Sequence, residues 1–535
     1  MSDFMSKKSC IKNQLAHQFG KNPLEDVTIY MRRERLPQIR IYHDVVKTDG
    51  CGIDDITWAD LEMDEVFLRI NHTQSYIGEQ VLYHSLHDTT IPHSWDSYEK
   101  MLAQMEKEKE HRLELEYRLR SIGKKQENYY LPEFLQSAAM FIPKQAWIFR
   151  VLQCLLVFSL LLTLFSQSSA AAGLLALSAG INFVVYVMMK MKYDVILGSL
   201  AGTGRMMEFC EYVNKSSTLK INDLESLKKS LHHTKKLKNR IALHMYMKQS
   251  SISGDVMGLL LEYVLGITLI DIAGLSQILK LMDKYREDVM FLYQFTGAID
   301  VAISVASYRN SMAYYCIPKL KEEGEIGVKG LYHPLLNDPV SNDFRLENRA
   351  MITRANASGK STFMKAVAVN AILAQTIHTC CSECFSMPYL TVMTSMAIRD
   401  DLVSGESYYV REVRYLKRML DVIREGKLCL CIIDEILKGT NQRERLAASE
   451  AILKYLAEYK SFCIVATHDM ELVDKLEHLY QRYYFESHIE EDNVTFTYLL
   501  HKGKGGDSNA IALLKSFCFP EEILYQAEML LIQEN

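Results

Sequence analysis

Three short segments of the chain carry residues that could handle phosphate groups. They are GKST at 359–362, DE at 434–435 and TH at 467–468, and together they offer a lysine, hydroxyl groups, two adjacent carboxylates and an imidazole. Each segment follows a short apolar run that is typical of a buried strand. Found in this order at the carboxyl ends of candidate strands, they favour a nucleotide site over chance occurrence.

The first segment reads as the end of a phosphate-binding loop. Such a loop needs a strand, a turn whose backbone N–H groups face phosphate, and a helix whose N-terminus adds its dipole. The run 351–353 supplies the strand and 362–373 a helix. Lys360 would reach the β- and γ-phosphates of ATP, and Ser361 would ligate Mg²⁺. The other predicted nucleotide contacts in this stretch are Asn356, Ser358, Gly359 and Thr362.

Arg354 stands where a phosphate-binding loop opens with glycine. A long side chain there can strain a turn that needs positive φ, or crowd the phosphates. Alternatively, the guanidinium points outward or adds positive charge near the nucleotide. We expect weakened rather than abolished ATP affinity.

The second and third segments supply the residues that would act on bound ATP. Asp434 and Glu435 end the apolar run 428–433, the Walker B arrangement. Asp434 would hold Mg²⁺ with Ser361, and Glu435 would orient or deprotonate water. His468 follows the run 462–466 and could sense the γ-phosphate. We therefore predict Glu435 and His468 as catalytic residues, Ser361 and Asp434 as metal ligands, and ATP with Mg²⁺ as cofactors.

Composition limits the remaining possibilities. The 535 residues are 48% hydrophobic with a net charge of -5, so the chain folds and any DNA-binding surface must be local. Twelve scattered cysteines without framework spacing indicate reduced thiols in a cytosolic setting. Cys380, Cys381 and Cys384 form the one cluster, and packing is favoured over zinc because no second ligand pair stands out.

Two long apolar runs, 146–165 and 170–189, each have about the 20 residues that a helix needs to cross a bilayer. Four residues separate them, so they predict a tight transmembrane hairpin. Basic residues flank the entry and the exit, which places both outer ends on the cytoplasmic side. We expect a multi-pass protein of the cytoplasmic membrane with its N- and C-terminal parts in the cytoplasm. The alternative is a buried helical hairpin in a soluble protein.

The chain is predicted to be an α+β multidomain protein. Helical patterns dominate up to about residue 324, and short β-rich runs then alternate with helices, as in a parallel α/β sheet. A basic group at Arg32, Arg33 and Arg35 suits a solvated surface better than a nucleic-acid contact. The predicted divisions are an N-terminal segment 1–52, a helical core in two parts at 53–145 and 191–324, a transmembrane hairpin 146–190, and an ATPase domain 325–535.

In these motifs and their order, the chain resembles the MutS family of DNA mismatch repair and related ATPases. The similar segments in the C-terminal half are LYHP at 331–334, VSND at 340–343, DL at 401–402, SGES at 404–407, DEI at 434–436, GT at 439–440, ATH at 466–468 and SNAIA at 508–512. Upstream, TQSYIG at 73–78 is similar to the start of the family's helical core and GAIDV at 297–301 to its end.

The resemblance implies a fold and partners beyond those read from the residues. It implies a helical MutS-like core with the hairpin inserted, followed by a P-loop ATPase domain of the ABC type. It further implies a homodimer through the ATPase domains, in which Ser407 contacts nucleotide on the partner subunit, and DNA binding by the helical core.

Two departures bear on the function. Only some fifty residues precede the core, so we expect the family's mismatch-recognition domain to be lacking, and nothing in the chain supports mismatch specificity. Tyr408 and Tyr409 replace the usual Thr-Phe after the signature serine. The leading hypothesis is a membrane-anchored, DNA-binding MutS-like ATPase. The alternative is a membrane-tethered interaction or signalling scaffold that keeps a weak or inactive nucleotide-binding domain for dimerisation, and a transporter ATPase ranks lower.

Overall fold

The computed structural model describes residues 2–48, 52–89, 94–143, 147–216, 223–251, 263–353, 359–396, 408–490, 493–503, 511, 514–515 and 517–534. Contacts divide the chain into two compact units. The N-terminal unit is Met1–Thr48, Ile70–His84 and Ser94–Asn310, and the C-terminal unit is Asp49–Arg69, Ser85–His93 and Ser311–Asn535. The mixed α and β composition predicted from the sequence is confirmed, with helices forming the first unit and both sheets lying in the second.

The helices and strands are numbered in chain order. The α-helices are α1 (Ser2–Gln18), α2 (Ile29–Glu34), α3 (Leu36–Val46), α4 (Asp55–Asp60), α5 (Met63–Ile70), α6 (Tyr76–His87), α7 (Trp95–Lys107), α8 (Lys109–Ile122), α9 (Leu131–Phe141), α10 (Trp147–Ser166), α11 (Ser169–Lys215), α12 (Leu224–Ser251), α13 (Ile270–Lys284), α14 (Arg286–Asn310), α15 (Lys360–Thr376), α16 (Tyr408–Arg424), α17 (Gln442–Glu458), α18 (Met470–Lys475) and α19 (Glu521–Glu534). The strands are β1 (Lys319–Lys321), β2 (Ile326–Leu331), β3 (Asn342–Leu346), β4 (Arg349–Thr353), β5 (Cys384–Pro388), β6 (Thr391–Ser395), β7 (Cys429–Asp434), β8 (Phe462–Thr467), β9 (Gln481–Glu490) and β10 (Asn493–Lys502).

The C-terminal unit is built around a six-stranded sheet with the order β10-β9-β4-β8-β7-β6. All neighbours in it are parallel except β10, which pairs antiparallel with β9. Strands covered on both faces are apolar throughout, which explains why β7 and β8 show no alternation of buried and exposed residues. This order places the carboxyl ends of β4, β8 and β7 side by side at one edge of the sheet.

A four-stranded sheet with the order β1-β5-β2-β3 completes the sheets of this unit. Helix α4 also belongs here, because Asp60 accepts hydrogen bonds from the Thr394 hydroxyl at 2.8 Å and the Met396 N–H at 2.9 Å. The predicted boundaries instead assigned residues 53–69 to the helical core. The predicted and observed boundaries differ because the buried Asp60 carboxylate on α4 accepts hydrogen bonds at the end of β6, which connects α4 to the C-terminal unit.

In the N-terminal unit, a buried carboxylate joins two segments that are far apart in sequence. Asp300 on α14 accepts hydrogen bonds from the backbone N–H groups of Gln74 and Ser75, both at 2.9 Å, and from the Ser75 hydroxyl at 2.6 Å. A Cβ on Gly78 would lie 2.2 Å from Asp300, so only glycine permits this approach. The segments 73–78 and 297–301, which the sequence pointed to separately, are therefore direct neighbours.

Three helices in the described residues are long and apolar enough to cross a membrane: α10, the first part of α11 and α14. Their burial differs, at 11%, 17% and 78% respectively. The apolar surface of α14 is covered by other helices of its own unit, whereas most of α10 and of the start of α11 is exposed. Helix α11 continues unbroken through 47 residues, well beyond the predicted hairpin.

Candidate nucleotide site

The first part of the site forms where β4 leads into α15. Strand β4 ends at Thr353, and Gly359 adopts the left-handed conformation with φ of 94° directly before the helix. Its carbonyl accepts the first helical hydrogen bond, from Phe363 at 2.9 Å. The predicted loop residues Arg354, Asn356 and Ser358 lie outside the described residues, so the expected effect of Arg354 stays a prediction.

Lys360 and Ser361 begin α15 and reach the ends of the two neighbouring strands. The Lys360 side chain is buried, and its Nζ lies 3.1 Å from Nε2 of His468, which follows β8. The Ser361 hydroxyl donates to Oδ2 of Asp434 at 2.6 Å. Burial lowers the pKa of Lys360 to about 8, against the opposing effect of the nearby carboxylates.

Glu435 occupies a conformation that L-residues seldom adopt, with φ of 59°. Its N–H donates to the carbonyl of Ala466 at 3.0 Å, which ties the end of β7 to β8. Its carboxylate contacts His468 Nε2 at 2.7 Å and Lys438 Nζ at 3.1 Å. The hydrogen bond from His468 is the main cause that lowers the pKa of Glu435 to about 2, so this carboxylate is ionised at neutral pH.

The contact with Glu435 shows which nitrogen of the His468 ring carries a hydrogen. A carboxylate is an acceptor only, so the 2.7 Å contact requires Nε2 of His468 to carry a proton. That nitrogen then has no lone pair for Lys360. The buried Lys360 side chain lies 3.1 Å from the same ring nitrogen, so lysine, imidazole and carboxylate meet at the N-terminus of α15.

Glu412 is a residue of this region that sequence reasoning missed. It is 1% exposed on α16, and its carboxylate accepts the backbone N–H groups of Lys438 at 3.0 Å and Gly439 at 3.4 Å. Burial raises its pKa despite these hydrogen bonds. It thereby fixes the turn that follows Glu435. A signal was present, because Glu412 lies at helical spacing in the buried stripe of Leu416, Met419 and Ile423.

A cavity of about 330 Å³ lies next to the start of α15. Gly359, Thr362 and Phe363 form one wall, and the aromatic ring of Tyr498 lies against Gly359. Asn342 holds the Tyr498 segment by donating to its carbonyl at 3.0 Å and accepting from Leu500 N–H at 2.7 Å. The predicted contact Thr362 thus faces a largely apolar space of a size that suits a base or sugar.

The residues also suit the predicted metal. Ser361 Oγ and Asp434 Oδ2 converge at the N-terminus of α15, and oxygen donors with few protein ligands are what Mg²⁺ prefers beside a phosphate. Within the described residues no group of three or more His, Cys, Asp or Glu side chains forms a metal-binding cluster. Cys380 and Cys381 are buried and unbridged, in keeping with packing.

The proposed contact of Ser407 with a partner's nucleotide remains a prediction, because residues 397–407 lie outside the described part of the chain. The same holds for the similar tail segment 508–510. Lys360, Ser361, Asp434, Glu435 and His468 are therefore the predicted site residues that the structure brings together.

Comparison with known proteins places this site in a class. Residues 350–534 match the family described as MutS domain V. This region contains the six-stranded sheet from Ala350 in β4 onward, together with Lys360, Ser361, Asp434, Glu435 and His468.

Individual relatives agree with that class. The chain is 27% identical over 261 residues to the DNA mismatch repair protein MutS of Staphylococcus aureus strains MRSA252, JH9 and Newman. The match covers 46% of this chain but only 30% of each relative. These similarities support a relationship to the MutS family and a mixed α/β domain of its ATPase type.

Proposed function

We propose that the protein is a membrane-anchored, MutS-like ATPase. The observation that carries the proposal is the convergence of Lys360, Ser361, Asp434, Glu435 and His468 at the carboxyl ends of three adjacent parallel strands. In an open α/β sheet, ligands bind outside these strand ends. A lysine, a hydroxyl–carboxylate pair and a restrained second carboxylate are the groups that phosphoryl transfer to water needs.

Each side chain then has a defined role. Lys360 binds the β- and γ-phosphates, and the cavity beside Thr362 receives the nucleoside. Ser361 and Asp434 would hold Mg²⁺, which supplies positive charge to the phosphate oxygens. Glu435 orients the attacking water. Because His468 and Lys438 both contact Glu435 in the nucleotide-free arrangement, at least one of these two groups must turn toward phosphate before the carboxylate can accept a hydrogen bond from water.

A direct binding measurement tests this role. We expect Lys360→Ala to lower the affinity for ATP by about tenfold or more, since a charge-assisted contact to phosphate is lost. Lys417→Ala is the matched control, because Lys417 is exposed on α16 and its described ion pair is with Asp421 on the same helix. Equal ATP affinity of the two variants would remove Lys360 from the site.

The membrane anchor rests on α10 and the start of α11. Four of their polar side chains hydrogen-bond to neighbouring helices or to each other: Ser159 and Ser178 lie 3.0 Å apart. Gln153 and Asn182 donate to the carbonyls of Thr268 and Ile267 at 2.9 and 2.7 Å. Polar groups satisfied between helices with apolar groups outside are the pattern that a bilayer requires. We expect the protein to sediment with membranes and to resist carbonate extraction, and extraction by carbonate alone would contradict the anchor.

DNA binding by the helical core is the least direct part of the proposal. It is supported by the relationship to proteins named for DNA mismatch repair. Nucleotide-dependent retention of DNA, compared between homoduplex and mismatched or branched DNA, tests it. Equal and negligible retention with and without ATP would contradict DNA binding. It would favour the alternative in which the N-terminal unit is an interaction scaffold.

A further inference from the structure

The N-terminal unit contains a cavity of about 780 Å³ that the ATPase proposal does not use. It lies between α1, the turn before α2, residues 72–74 and the end of α8. Arg32 and Arg35, two of the three arginines in the basic group of the sequence, line this cavity. Cavities of about 300 to 1,000 Å³ are the usual size for small-molecule sites.

The floor of the cavity holds more positive than negative charge. Arg35 and Lys124 share one fully buried carboxylate, Glu79, at 3.2 and 2.8 Å. Burial opposes ionisation of Glu79, yet Lys124 and Arg35 outweigh it and lower its pKa to about 2. Burial also lowers the pKa of Lys124, although Glu79 counteracts this. The single carboxylate of Glu79 thus pairs with both Lys124 and Arg35, and both cations are largely shielded from bulk water.

Three further cations line the cavity, and two of them, Lys21 and Arg120, contact groups other than carboxylates. Lys21 Nζ contacts the ring nitrogens of His17 at 2.9 and 3.1 Å, and Arg120 Nη2 donates to the Gln14 side-chain oxygen at 3.1 Å. Arg32 pairs with Asp26 at 3.3 Å. In all, five Lys and Arg side chains line the cavity with the carboxylates of Glu25 and Asp26, and Glu79 behind Arg35 and Lys124 is the third carboxylate. Like charges gathered in a concave, partly desolvated space repel each other unless an anion joins them.

We propose that this cavity binds a phosphate-bearing small molecule. The five cations come from residues 21–35 and 120–124 and line one cavity, as suits an anion with two or more charges, and Arg and Lys are the usual phosphate ligands. The volume exceeds that of a single phosphate group and leaves room for an attached organic part. The site is separate from Lys360 and its neighbours, so it is a second anion site on the chain.

The test uses pyrophosphate as the probe and the full-length, detergent-solubilised protein carrying Lys360→Ala, so that the ATPase site does not contribute. Isothermal titration is performed at constant ionic strength. The test variant adds Lys21→Gln and Arg120→Gln, which remove the two charges that contact groups other than carboxylates. The matched control adds Lys228→Gln and Lys229→Gln, which change the same charge at exposed positions of α12.

We expect pyrophosphate to bind the parent and the control equally and the test variant about tenfold more weakly, since two charge-assisted contacts are removed. Thermal unfolding of all three proteins verifies that the substitutions leave them folded. Equal binding by the test variant and the control, or no binding by the parent, would overturn the proposal. A short oligonucleotide that binds in the same way while pyrophosphate does not would replace the small molecule with nucleic acid and would also overturn it.

Discussion

Glu79 in the N-terminal unit and Glu435 in the C-terminal unit are both held ionised by cations, with the pKa of each lowered to about 2. Their surroundings differ. Glu79 is 0% exposed and is also bonded to Tyr129 and Asn71, so its hydrogen-bonding capacity is filled. Glu435 directly follows a strand and is partly exposed, as are the side chains of its partners His468 and Lys438. A lowered pKa therefore accompanies a structural role at Glu79 and a proposed chemical role at Glu435.

The largest expected effect tests the chemical role of Glu435. We expect Glu435→Gln to lower ATP turnover by about 1,000-fold, since positioned acid–base groups contribute on the order of 10² to 10⁴. Thermal stability should change little, because the amide keeps the shape at a partly exposed position. Steady-state hydrolysis and thermal unfolding measure both. A parent protein that hydrolyses no more ATP than this variant would end the enzyme interpretation.

Glu79→Gln should behave in the opposite way. Removing one partner of a buried ion pair costs about 3 to 5 kcal/mol, because Arg35 and Lys124 are left without their shared carboxylate. The contribution of Glu79 is fully present above the pKa of an unfolded glutamate and is lost as the pH falls through its folded pKa of about 2. The difference in unfolding temperature between parent and variant should therefore shrink from pH 7 to pH 3. A constant difference across this range would contradict the ionised state.

Glu412 offers an intermediate case, because it is buried like Glu79 but acts on the turn beside Glu435. We expect Glu412→Gln to lower turnover by about tenfold, since an amide cannot accept both N–H groups of the turn and small displacements reduce catalysis. ATP affinity should change less than turnover. Glu444→Gln at the exposed start of α17 is a suitable control. A loss of ATP affinity equal to the loss of turnover would indicate that Glu412 supports binding instead.

The smallest effect concerns the pH dependence of ATP binding. Lys360 has a pKa of about 8 in the nucleotide-free protein, and phosphate binding needs the protonated ammonium. Affinity should therefore be level below pH 8 and fall above it, by up to tenfold per pH unit. Binding to the Glu435→Gln variant between pH 7 and 9.5 measures this without hydrolysis. Lys360→Arg should give a level profile, since arginine stays protonated, and a fall in that variant would assign the pH dependence to another group.

Much of the candidate site could be predicted from local sequence. A carboxylate or histidine that directly follows an apolar β-run must stand at a strand end, so Asp434, Glu435 and His468 were found without knowledge of strand order. Lys360 was found from the GKST segment that opens the helix after β4. The exposed hairpin likewise follows from two apolar runs, since length and hydrophobicity are local properties. Its membrane location stays a prediction.

Other features required the folded chain. The composition of α14 is that of a spanning helix, and only packing shows that it is largely buried within its unit. Glu412 and Asp60 satisfy donors on strands or turns remote in sequence, and a hydrogen bond across such a separation leaves no local pattern.

The sequence by itself therefore determined the phosphate-handling residue types, their place at strand ends and the two apolar runs, because each depends on neighbours within a few positions. The tertiary structure decided which strand ends adjoin, which carboxylates pair with which cations, and how Arg32 and Arg35 come to line a cavity with Arg120 and Lys124. Those arrangements include contacts between residues 44, 45 and 108 positions apart, where charge and burial act through space rather than along the chain.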